Sequence, residues 1–124
     1  MVKSKKPNNF SLSDKYKKTD SRQKVWRKQR KVRGFDDTEL YNLYYTMTKL
    51  LLPRLEEFRK TTMSFPGNET EESYFQKIDF IIEKFNKRID DKFIYLDIHE
   101  RDIIQKEASD AARILGELWW DLWS

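Results

Sequence analysis

Apolar residues at three- and four-residue spacing constrain this chain more than any other feature. Leu40, Leu43, Tyr44, Met47, Leu51, Leu55 and Phe58 form one stripe, with Tyr41, Tyr45, Thr48 and Leu52 in a neighbouring row. Tyr74, Phe75, Ile78, Ile81, Ile82, Phe85 and Ile89 form a second, and Ile104, Ala108, Ala111, Leu115, Leu118 and Leu122 a third. This period belongs to one face of an α-helix, not to the alternation of a half-buried strand. Three glycines, three prolines and 37% charged residues among 124 leave few turns for a many-stranded sheet. The expected fold is all-α: an antiparallel three-helix bundle over residues 34–124 with short connections.

Local signals place the helix ends. Asp36 and Asp37 are N-cap candidates for the first helix, which should run to about residue 60. Pro53 falls inside this helix, and the stripe keeps its phase on both sides. A kink is therefore expected, because proline supplies no donor to the Lys49 carbonyl; a helix ending at Leu52 and restarting at Pro53 is the alternative. TTMSFPG (61–67) is a break with a Pro-Gly turn. NETE (68–71) and DIHE (97–100) both have capping-box form, with Asn68 and Asp97 as caps. The second helix should run from about Glu69 to about Asp90, and the third from the DIHE cap almost to the C-terminus.

The formal charge of +4 hides a division. Residues 1–33 carry nine Lys and four Arg against Asp14 and Asp20, a net +11, whereas residues 34–124 carry 12 basic and 19 acidic residues, a net −7. The first 33 residues show no helical or alternating apolar pattern and bury too little surface to offset ordering entropy. They read as an extended, flexible basic arm on a helical domain over 34–124, with residues 22–33 able to become helical or extended on contact. Arg22, Lys24, Arg27, Lys28, Arg30, Lys31 and Arg33 flank Trp26 there. Cations neutralise phosphates and an aromatic ring stacks on unpaired bases, so this segment is the candidate nucleic-acid or phosphate site. No helix-turn-helix or zinc-finger spacing accompanies it, so contact would be by charge with little sequence selectivity.

Other constellations are weaker. The chain has no cysteine, which excludes disulfides and cysteine-based zinc sites. Its single histidine, His99, lies in a helix cap with no nucleophile spaced to join it. Glu69 with Glu72, and Glu107 with Asp110, have the spacing of magnesium-binding pairs in all-helical nucleotide hydrolases. First-turn acids that complement the helix dipole are the simpler reading of Glu69 and Glu72. No metal, cofactor or catalytic residue is assigned, and the expectation is a non-enzyme. No apolar run reaches membrane-spanning length, and the basic N-terminus has no apolar stretch behind it to make a secretory signal. Trp119, Trp120 and Trp123 crowd the C-terminal LGELWWDLWS. They cannot all enter one small core, so part of this set should form an oligomer or partner interface.

Residues 34–67, GFDDTELYNLYYTMTKLLLPRLEEFRKTTMSFPG, resemble a family of small, mostly uncharacterised proteins encoded by tailed bacteriophages. Phe35, Asp36, Tyr41, Leu52, Pro53, Leu55, Pro66 and Gly67 carry the resemblance, and Leu122 and Trp123 match its aromatic-rich ending. Tyr41 and Tyr44 stand where many members have Trp and a polar residue. The resemblance implies a phage origin, with the host cytoplasm or the virion as the place of action, and no established activity. Two further functions are consistent with it: a counter-defence protein that sequesters a nucleotide signal in an oligomeric pocket, and a virion assembly component. A host or phage protein is then a further partner expected beside nucleic acid.

Overall fold

The computed structural model describes residues 11–13 and 16–123, and every regular element among them is helical. Five α-helices form where the periodicity predicts three: α1 (Gln23–Arg33), α2 (Thr38–Tyr41), α3 (Leu43–Thr61), α4 (Glu71–Ile89) and α5 (Ile98–Leu118). 3₁₀ turns at Asp91–Tyr95 and Trp119–Asp121 follow α4 and α5. Among the described residues no helix is long and apolar enough to cross a membrane. The chain groups into two compact units, residues 1–50 and 51–124.

The first unit departs most from the sequence expectation. Residues 23–33, expected to lack fixed structure unless bound, form α1. The helix ends at Gly34, whose φ of 88° suits a residue without Cβ and whose N–H donates to the Arg30 carbonyl at 2.9 Å. The arm reading of residues 1–10, 14 and 15 lies outside the described residues. The expected helix from Asp36 breaks at Asn42, whose carbonyl accepts the N–H groups of Tyr45 and Thr46 and opens α3. The Thr46 hydroxyl donates to the Glu39 carbonyl at 2.7 Å and ties the two sides of the break together. The interior of this unit is largely polar: Ser13, Arg30, Asp36, Thr38, Glu39 and Thr46 are buried along with Trp26. Leu40, Leu43, Tyr44 and Met47, read as core, are each about half exposed, so only the later part of the first stripe is buried.

The second unit follows its apolar pattern closely. Leu55, Tyr74, Ile78, Ile81, Ala111, Leu115 and Leu118 form one buried cluster, with Leu51, Phe58, Phe75, Phe80, Ile82, Phe85, Ile114 and Leu122 packed against it. Burial of each large side chain contributes roughly 1.5–3 kcal/mol. Contacts between residues 74 and 121, 84 and 107, and 88 and 105 set α4 antiparallel to α5. The Arg59–Asp79 ion pair and the Asn86–Glu56 hydrogen bond give the end of α3 the same antiparallel sense against α4. Helix α3 continues through Pro53, which is exposed, so the core has no proline ring to accommodate. Asp97 and Glu100 form the expected capping box of α5. The cap of α4 is Thr70 with Ser73, two residues beyond Asn68, because the Glu69 N–H still closes the preceding turn onto the Pro66 carbonyl.

Candidate nucleic-acid interface

The seven basic side chains of residues 22–33 divide into two sets. Arg22 is held by Asp20 through two hydrogen bonds of 3.0 and 2.9 Å. Arg30 is buried, and its Nη1 donates to Asp36 Oδ2 at 2.5 Å. Arg33 donates to Asp37 Oδ1 at 2.6 Å. Lys24, Arg27, Lys28 and Lys31 are exposed and make no ion pair among the described residues. At 3.6 residues per turn these four fall within an arc of about 100° along roughly 10.5 Å of helix. Val25 and Val32 are exposed beside that arc, and Trp26 and Arg30 occupy the opposite side.

Local chemistry fixes this division. Trp26 is 5% exposed and packs on Tyr16 at a centroid distance of 5.0 Å, with the Arg22 guanidinium 4.9 Å from its ring centre. Asp36 Oδ1 accepts the Thr38 N–H at 2.9 Å and also the Thr38 hydroxyl, while the Asp36 N–H donates to Glu39 at 2.9 Å. The Ser13 hydroxyl lies 2.8 Å from that of Thr38, which brings the chain before α1 into the same network. Gln29 bridges to Asp37, donating to its carboxylate and accepting its N–H, each at 2.9 Å. Burial pushes the Asp36 carboxyl up, but hydrogen bonds from Thr38 and Arg30 outweigh it and hold the group below its usual range. Hydrogen bonds from Arg33 and Gln29 likewise lower Asp37. Asp20 falls to about 2 through its hydrogen bonds with Arg22.

The other candidates are placed separately. Trp119, Trp120 and Trp123 are 49%, 86% and 54% exposed, so none of the three is a core residue. They sit on a fixed segment, because the buried Tyr74 donates its hydroxyl proton to the Asp121 carbonyl at 2.6 Å. The acidic pairs are not brought together: Glu69 accepts from Ser73 and Lys77, whereas Glu107 faces Lys84, about 18 Å beyond Glu72 along α4 by helix rise. Among the described residues no group of three or more His, Cys, Asp or Glu side chains converges as a metal site. His99 is exposed in the first turn of α5. A cleft of about 510 Å³ lies between the end of α4 and the start of α5; Lys84, Lys87 and Lys92 in its lining are matched by Asp90, Glu100 and Glu107. No protein-family model, curated protein or solved structure matches this chain.

Proposed function

We propose that this is a non-enzymatic binding protein that holds nucleic acid, or a nucleoprotein partner, against the exposed face of α1. The carrying observation is the set Lys24, Arg27, Lys28 and Lys31: four cations on one helical arc, all exposed and none in an ion pair among the described residues. The phage resemblance of residues 34–67 supports an accessory role of this kind during infection or in the virion. Four phosphate contacts give a salt slope of roughly three to four log units of affinity per tenfold rise in salt, where all seven cations would give five to six or more. The test is a titration of the full chain with RNA and DNA at several salt concentrations, beside the variant Lys24→Gln/Arg27→Gln/Lys28→Gln/Lys31→Gln. The variant should lose most of the slope and keep its helical circular dichroism. Salt-insensitive binding, or no binding, would refute the reading. Removal of residues 1–33 is the poorer test, since Trp26 and Arg30 are buried parts of the first unit.

The C-terminal tryptophans support a second contact, between chains. Large rings exposed on a pinned segment lose little freedom on association, and tryptophan is enriched in binding hot spots.

A further inference from the structure

We propose, resting on the polyanion-binding reading of α1, that its face takes double-helical nucleic acid in preference to single strands. Tight binding of single strands depends on rings that stack on unpaired bases and so compensate for ordering a flexible backbone. The only ring in α1 is Trp26, which is 5% exposed, packed on Tyr16 and capped by Arg22. Phe35, just beyond the helix, has the Arg33 guanidinium 4.4 Å from its ring centre. The face presented to a ligand is therefore Lys24, Arg27, Lys28 and Lys31 bordered by Val25 and Val32, with no ring of α1 on it among the described residues. Tyr41 and Tyr44, which are also exposed, belong to α2 and α3.

A duplex matches this face in two ways. It carries one phosphate charge per roughly 1.7 Å of axis with both strands counted, so a length of about 10.5 Å of duplex holds roughly six charges, enough to serve all four cations, at positions that base pairing has already fixed. An α-helix of about 10–12 Å diameter also fits a major groove about 12 Å wide, where the valines can lie against apolar base edges. The Gly34 cap and the Arg30–Asp36 pair hold α1 in shape before any ligand arrives, so little ordering cost falls on the protein.

The experiment measures fluorescence anisotropy of a short labelled duplex, and of each of its strands alone, titrated with the full-length protein between about 50 and 200 mM salt. The duplex should bind about tenfold tighter or more at equal salt. Its affinity should fall roughly 100-fold across that range. Trp26→Phe, which keeps a ring in the packed site, should leave both affinities within about twofold. Strands that bind as tightly as the duplex, or a Trp26→Phe variant that loses strand binding alone, would overturn the duplex preference and leave the polyanion reading standing. Failure of duplex and strand alike to bind would overturn both.

Discussion

Replacing Arg30 by Ala separates a folded first unit from a charged tail. Arg30 and Asp36 are 6% and 0% exposed, and their guanidinium–carboxylate bond is 2.5 Å long. Truncation leaves Asp36 buried and charged, with the Thr38 N–H and hydroxyl still donating to it and the Ser11 and Ser13 hydroxyls bonded in turn to Thr38. Breaking such a pair from one side costs about 3–5 kcal/mol, because the surviving charge stays desolvated. A unit of this size holds only about 0.05–0.15 kcal/mol per residue, so the loss is comparable with its whole stability. Residue-resolved hydrogen exchange reads the result directly. The amides of α1 and α2 should lose protection in Arg30→Ala, while those of α4 and α5, whose core is the apolar cluster around Ile78 and Ile81, should keep theirs. Lys31→Ala, one residue on and exposed, should change neither and should only weaken polyanion binding. Unchanged protection of α1 in Arg30→Ala would refute the buried ion pair as the keystone of this unit.

Acidification should act on the same network. The folded-state pKa values of Asp36, Asp37 and Asp20 lie below their unfolded values near 4, so the unfolded chain binds more protons and the stabilisation present above pH 4 is lost as pH falls through the folded values, which for Asp20 is about 2. Exchange protection of α1 should decline over that window before that of α4 and α5; simultaneous loss would count against the assignment. Pro53→Ala should raise stability, or lower it by less than about 1 kcal/mol, because the residue is exposed and the helix already continues through it; a loss of several kcal/mol on chemical denaturation would contradict this. Trp120→Ala should shift any self-association seen by sedimentation without altering the thermal transition, since Trp120 is 86% exposed. A strict monomer at high concentration with all three C-terminal indoles shielded from a soluble quencher would defeat the interface.

The parts of the fold that were legible are those driven by apolar burial. The stripes through Tyr74–Ile89 and Ile104–Leu118, and the Asp97–Glu100 cap, stand where periodicity puts them. Polar specificity was harder to read. Asn68 and Thr70 both satisfy capping patterns, and the choice was made by an extra turn bonded back to Pro66. The apolar phase runs unbroken across Asn42, so the α2–α3 break is invisible to a periodicity argument. Helix α1 has a single ring on its inward side, and its other inward group is an arginine whose partner lies six residues away. Gly34 after a run of basic residues was the available signal, because it marks a helix C-terminus.

The charge of residues 22–33 therefore has two causes, and residue chemistry separates them. Among the described residues every paired cation in residues 22–33 is an arginine, matched to Asp20, Asp36 and Asp37, and three of the four without an ion pair are lysines. A guanidinium is planar and delocalised, so it tolerates burial against a carboxylate and sits over aromatic rings, as Arg22 does 4.9 Å from the Trp26 and 5.3 Å from the Tyr16 ring centre. An ammonium is compact and strongly hydrated, and is better left in water as a mobile point charge. Arginine thus builds the unit, and lysine with Arg27 supplies its outward charge. Exchanging the two types makes the distinction measurable. Lys24→Arg, Lys28→Arg and Lys31→Arg together should retain salt-dependent polyanion binding and leave α1 protected from exchange. Arg30→Lys conserves charge equally well, yet it replaces a planar fork with a hydrated ammonium inside a buried site, and should cost about 1–3 kcal/mol with loss of α1 protection. Equal tolerance of both exchanges would mean that net charge alone matters in this segment, and that the partition between inward and outward cations carries no function.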